Sequence, residues 1–149
     1  MYKTILVPLD GSKLSESILE HVVAIVDGCE APQVVLLRIR EPLDKQVREK
    51  LSADVGTMLD DAYQEEAVEY LDKIGAILEA KGITANKVVR TGKPAEEIIQ
   101  YAETNAVDLI IMSTHGRSGV SRLMLGSVAE RIIRQSDIPI LLNHPSDIK

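Results

Sequence analysis

The sequence has no tryptophan and no phenylalanine, and four tyrosines are its only aromatic side chains. Its core must therefore be aliphatic, and a planar ligand ring would lie between Ile, Val and Leu side chains rather than in an aromatic clamp. Cys29 is the single cysteine, which excludes an internal disulfide framework and a multi-cysteine metal site and leaves a passive thiol near a helix end. No apolar run approaches the length of a bilayer span. The opening Met1-Tyr2-Lys3, a short apolar run and then Asp10 lacks the long apolar region of a secretory signal. The expectation is a cytoplasmic protein with no membrane partner. Positive charge is also scarce. A net charge of −6 argues against general nucleic-acid binding, which depends on neutralising phosphates, although Arg117 and Arg122 make a small local basic patch. Internal repeats and low-complexity tracts are absent.

What remains is an ordinary globular composition, 45% hydrophobic and 27% charged over 149 residues, consistent with one domain spanning 1–149. Strand and helix signals alternate along it. Thr4 to Leu9 is a short, partly β-branched apolar run bounded by Asp10-Gly11-Ser12, which predicts a strand and a turn. Ser12 then caps a helix whose Ile18, Leu19, Val22, Ile25 and Val26 recur at helical spacing and which Gly28 closes. Gln33 to Ile39 predicts a strand covered on both faces. Glu41 to about Ser52 is charged and aperiodic and reads as a mobile connection with some helix.

Ala53 to Ala80 predicts a long helix with Ala67, Leu71, Ile74 and Leu78 on one face. Asn86 to Arg90 is a weaker strand. Pro94 opens the next helix, with two glutamates in its first turn. Asp108 to Met112 predicts a strand, about Ser127 to Gln135 a helix, and Ile138 to Leu142 a last strand. Such alternation calls for right-handed crossovers and a doubly wound, five-stranded, mostly parallel α/β sheet with helices on both faces, a Rossmann-like arrangement.

Ligands of such sheets sit beyond the carboxyl ends of the strands, where strand order reverses. The loop Ser113 to Ser127, STHGRSGVSRLMLGS, would meet the turn Pro8 to Ser12 there if the first and fourth strands are neighbours, and it is rich in glycine, hydroxyls and arginine. Glycines let backbone N–H groups approach an anion. Gly126-Ser127 lies at a helix start, whose free N–H groups favour negative charge. Ser121 and Ser127 can donate hydroxyl hydrogen bonds, and Arg117 a charge-assisted one. Each has a plainer role open to it. Ser127-Val128-Ala129-Glu130 has the form of a capping box, Gly116 and Gly119 suit simple turns, the arginines suit solvent, and His115 suits a loop hydrogen bond. The dinucleotide, P-loop and nucleophile-elbow signatures do not occur, and neither His21 nor His144 makes an evident metal pair with His115.

These residues resemble the universal stress protein family in its ATP-binding form, whose fold is that of the adenine nucleotide alpha hydrolases. The family loop is G-2x-G-9x-G-[ST]. Gly116 matches its second glycine, nine residues follow, and then Gly126-Ser127. Ser113 stands where the first glycine would be. Val7 to Ser12, Gly92 to Ala95 and Ile138 to Leu142 are similar to the family's first strand and acidic turn, its turn into the third helix and its dimerising last strand.

The resemblance implies an ATP-binding stress-response module. Ile39 would offer its backbone to adenine, with Val7, Pro8 and Met112 as walls. Ser113, His115, Gly116, Arg117, Gly119, Gly126, Ser127 and Val128 would surround the phosphates, and Asp10 would reach them through Mg²⁺. It also implies a homodimer through the C-terminal edge strand. No general base is evident for rapid hydrolysis. Two alternatives stay open: a non-nucleotide interaction module of the same fold, which Ser113 favours, and a slow ATP hydrolase using Asp10 and metal.

Overall fold

The protein is described by a computed structural model covering residues 1–114 and 125–145. Five parallel strands form one sheet: β1 (Thr4–Leu9), β2 (Gln33–Arg40), β3 (Ala85–Thr91), β4 (Leu109–Ser113) and β5 (Ile140–Asn143). Their order is β3-β2-β1-β4-β5, so the winding reverses between β1 and β4. β1, β2 and β4 are nearly continuous runs of buried aliphatic residues because both their faces are covered.

Two aliphatic layers result. On one face, Ile5, Val7, Val34, Leu36 and Ile111 pack against α2 (Leu19–Asp27) and α4 (Ala53–Glu79), through Val22, Leu71, Ile74 and Leu78. On the other, Leu6, Leu37, Ile110 and Met112 pack against α5 (Pro94–Thr104) and α6 (Ser127–Gln135), through Ile98, Ala102, Ala129 and Ile132. Period-2 alternation along each strand sorts the side chains between the layers. Among the described residues no helix is long and apolar enough to cross a membrane.

Two local expectations need correction, at the first helix and at the start of β5, while the partial helix expected after β2 is present. The first helix is broken into α1 (Lys13–Glu16) and α2. At the break, Ser17 Oγ donates to the Leu14 carbonyl at 2.6 Å while the Ser17 N–H reaches the same oxygen at 3.2 Å. A hydroxyl competing for a main-chain acceptor tightens and interrupts the helix there. The charged stretch after β2 holds a short helix, α3 (Lys45–Glu49), capped by Asp44, whose Oδ1 accepts from the Gln46 N–H at 2.8 Å. β5 starts at Ile140 rather than Ile138. The Ile138 N–H turns to Ser136 Oγ, and Pro139 has no N–H to add to the ladder.

Leu36 is fully buried in the first layer. Leu36→Ala is expected to lower unfolding stability by about 2–5 kcal/mol, read as a lower urea midpoint with an unchanged slope.

Candidate functional site

A cleft of about 560 Å³ opens at the carboxyl ends of β1, β2 and β4. That size suits a small-molecule ligand. The reversal of winding makes it. The chain leaves β1 toward the α2/α4 face and leaves β4 toward the α5/α6 face, so neither connection fills the gap between them.

On the β1 side, Asp10 closes a tight turn. Its Oδ1 accepts from the Ser12 N–H at 2.9 Å and the Ser12 hydroxyl at 2.5 Å. Ser12 Oγ in turn accepts from the Ser15 N–H at 3.1 Å, capping α1 as the sequence predicts. Gly11 between them has φ +86, and a Cβ there would come within 3.4 Å of Arg38 Nη2. Burial of the Asp10 carboxyl opposes its ionisation. The Ser12 hydroxyl and N–H, the Ser15 hydroxyl and the Arg38 charge outweigh that and hold its pKa below the ordinary carboxylate value.

On the β2 side, Ile39 is buried against the α5/α6 layer. The Arg40 carbonyl accepts from the Gly92 N–H at 2.9 Å, on the β3 side. Alternation therefore aims the Ile39 carbonyl at the β1 side, one residue past the last registered pair, Leu9↔Arg38. Pro8 and Met112 line the same cleft. Val7 does not. It is fully buried in the opposite layer, because neighbouring strand residues face opposite ways.

On the β4 side, Ser113 ends the strand and Thr114 is buried. Ala31 and Ala106 are the described non-glycine residues with positive φ, so Ser113 keeps an ordinary backbone where the family motif has glycine. Its Oγ lies 2.9 Å from Ser17 Oγ, and Asn143 Nδ2 donates to Ser17 Oγ at 3.3 Å. Thr114 Oγ1 accepts from the Gly126 N–H at 2.9 Å. Gly126 is the N-cap of α6 and makes no side-chain cap. The capping-box reading of Ser127 is thus corrected: Ser127 is the first helical residue, and the cap belongs to a glycine already anchored by Thr114. The early N–H groups of α6, at Ser127 and Val128, are those a helix leaves without internal partners.

The cleft therefore brings together Pro8, Asp10, Ile39, Met112, Ser113, Gly126, Ser127 and Val128. The expected contributors His115, Gly116, Arg117 and Gly119 lie outside the described residues. The walls also include Arg38, Arg40, Tyr63 and Glu66, which sequence reasoning missed. A signal for the arginines was present, namely charges two apart at the end of an otherwise apolar strand. Tyr63 and Glu66 arrive from α4, a tertiary placement that no local pattern announces. Among the described residues no cluster of three or more His, Cys, Asp or Glu could hold a metal.

The fold and site define a doubly wound α/β protein with its cleft at the switch point. A sequence model of the universal stress protein family matches residues 1–144, and the chain belongs to that family. It is similar to the universal stress protein MJ0577 of Methanocaldococcus jannaschii, 33% identical over 95% of this chain and 94% of that protein. The solved structure of MJ0577 superposes with a TM-score of 0.82 over 99% of both chains, at 32% identity. The same fold recurs in a universal stress protein solved in complex with cAMP, at a TM-score of 0.70 and 19% identity over 96% of this chain and 97% of that one. It recurs again in a family member from Arabidopsis thaliana with AMP bound, at a TM-score of 0.69 and 15% identity over 97% of both.

Beside the cleft, Tyr70 stacks under Arg38, whose guanidinium carbon is 5.9 Å from the ring centroid. Burial pushes its phenol up to about 12. The neutral phenol is thus favoured in the folded protein. That contribution to stability is present below the ordinary value near 10 and is lost as pH rises through about 12. In a near-ultraviolet alkaline titration of the folded protein, a tyrosinate step near pH 12 is expected. Tyr70→Phe should remove that step.

Proposed function

We propose that the chain binds ATP as its Mg²⁺ complex in this cleft and works as a ligand-linked regulatory module of the stress response. The observation that carries the reading is a convergence. An outward-aimed Ile39 carbonyl, the apolar walls Pro8 and Met112 and the amino end of α6 share one cleft at the winding reversal. Adenine needs apolar faces with a main-chain partner at its edge, and a phosphate chain needs free N–H groups and the positive end of a helix dipole. The AMP- and cAMP-bound family members support an adenine nucleotide as the ligand.

In this reading adenine lies between Pro8 and Met112 against Ile39, and the phosphates meet the N–H groups of Ser127 and Val128. Ser113, His115, Gly116, Arg117, Gly119 and Gly126 complete the phosphate side, as the family motif implies. One oxygen of Asp10 is engaged by Ser12. The other suits a Mg²⁺ held chiefly by nucleotide phosphates, the usual mode for this ion. Binding stabilises the fold by mass action and biases the loop that holds the phosphates. Isothermal titration with Mg-ATP should give saturable heat, and ligand at a hundred times Kd should add about 2.7 kcal/mol of stability. No heat and no rise in melting temperature at millimolar ATP would remove the reading.

The proposed module is a homodimer through β5. That strand is one edge of the sheet, and its four residues are all partly exposed. The Pro139 and Asn143 carbonyls accept from the Ile110 and Thr114 N–H groups at 3.0 and 2.9 Å, so odd residues face β4 and the even ones, Ile140 and Leu142, aim their main chain outward. An apolar, unguarded edge of this kind pairs with another strand, and a second copy offers the same one. Light scattering at micromolar concentration should give a dimer mass. Leu142→Pro, which deletes an outward N–H and no ladder bond, should give a monomer.

A further inference from the structure

Three buried side-chain polar atoms among the described residues have no hydrogen-bond partner: Arg38 Nε, Arg40 Nε and Tyr70 Oη. All belong to one cluster. Arg38 and Arg40 are two apart on β2 and so share a face, and Arg38 lies over the Tyr70 ring. Arg40 has compensation. Its Nη1 donates to the Asp60 carbonyl at 3.2 Å and lies 3.8 Å from Asp60 Oδ1, and its Nη2 donates to Thr91 Oγ1 at 3.3 Å. Arg38 has none. It makes no side-chain hydrogen bond and no ion pair within the described residues, although Asp10, Glu41 and Glu66 also line the cleft. A half-buried guanidinium held against a tyrosine ring and a glycine turn, near the Asp10 charge but with no hydrogen bond or ion pair to any described carboxylate, is an arrangement that an anionic ligand would complete.

The geometry also says which anion. Gly126 to Val128 belong to α6, which packs on the α5/α6 face next to β4. Arg38 stands on β2 and projects to the opposite face, beside Tyr70 of α4. β2 and β4 are separated by β1, hence about 10 Å apart. The two groups thus come from different strands and different faces of the sheet. Resting on the nucleotide reading above, we propose that the preferred ligand is an adenine nucleotide with a second phosphate on its ribose 2′ or 3′ oxygen, and that Arg38 binds that phosphate while the 5′ phosphate meets α6. Gly11, whose φ of +86 turns the chain at Asp10, lies against the guanidinium.

The test compares nucleotides that differ only in that group: 5′-AMP against adenosine 3′,5′-bisphosphate and adenosine 2′,5′-bisphosphate, titrated into the full chain by calorimetry. At least one bisphosphate should bind about tenfold or more tighter than 5′-AMP, as expected for a charge-assisted contact. In Arg38→Met that ratio should fall to about one, with circular dichroism confirming the fold. If Arg38→Met fails to fold, Arg38→Lys is read instead and should lower the ratio, since it keeps the charge and loses the planar fork. A ratio near one in the unaltered protein overturns the inference, and so does a ratio the substitution leaves in place. Binding of 5′-AMP or ATP with no gain from the second phosphate would leave the nucleotide reading standing and this one refuted. Absence of binding by all of them would sink both.

Discussion

Main-chain polar groups at the end of a parallel strand must find partners, and at the β1/β4 boundary the winding takes away the usual ones. Between other neighbouring strands the crossovers run over the same face and cover the strand ends. Here they part to opposite faces, α1 and α2 to one and α6 to the other. Some groups find local solutions. Asp10 takes the Ser12 N–H, and Thr114 takes the Gly126 N–H. The Ile39 carbonyl and the first amides of α6 face the gap. The cleft is what the winding leaves over, and its polarity is the set of groups that the fold itself does not use.

A polar clip connects that gap to the edge of the sheet. Ser17 stands at the break between α1 and α2, Ser113 at the end of β4 and Asn143 at the end of β5, and the Ser17 hydroxyl lies within hydrogen-bond distance of both others. The same hydroxyl draws on the Leu14 carbonyl and so causes the break. The serine that replaces the motif glycine is thus accommodated by its surroundings: its backbone stays ordinary and its side chain finds a partner. Ser113 lines the cleft itself and Asn143 ends the edge strand β5, so the clip runs from the cleft to the edge of the sheet. In the proposed dimer, pairing at β5 would bear directly on the residues around the nucleotide.

The features legible in the sequence are those with long-range redundancy. β1, β2 and β4 are runs of Val, Ile and Leu because burial on two faces admits little else, and α4 announces itself through Ala67, Leu71, Ile74 and Leu78. The switch-point cleft follows from strand order, in which β1 and β4 are neighbours, and alternation of elements alone does not choose that order. The rest depends on competition between near-equal local options. Ser17 carries no mark that its hydroxyl will win the Leu14 carbonyl. Ser127-x-x-Glu130 satisfies the capping-box pattern, yet Gly126 takes the cap because a residue on another element, Thr114, holds it. Arg38 reads as the solvated end of a strand until the long helix brings Tyr70 beneath it. Pairwise tertiary contacts decide such cases, and a single chain's periodicity does not encode them.

A chain with net charge −6 cannot attract an anionic ligand through its overall field, so attraction must be focused where the ligand sits. The cleft does this with unequal means. The amino end of α6 supplies oriented dipoles, with Glu130 in its first turn, and Arg38 supplies a full charge with no hydrogen bond or ion pair among the described residues. Against these stand the carboxylates of Asp10, Glu41 and Glu66 on the same walls. A small bare anion meets both signs within one cleft and gains little. In the proposed complex, a nucleotide whose charge is partly neutralised by Mg²⁺ at Asp10, and whose apolar base fills the space between Pro8 and Met112, can place its negative groups at the two favourable ends and keep its neutral parts beside Glu41 and Glu66. In the proposed reading the acidic walls discriminate rather than merely repel, which reconciles a phosphate ligand with an acidic protein.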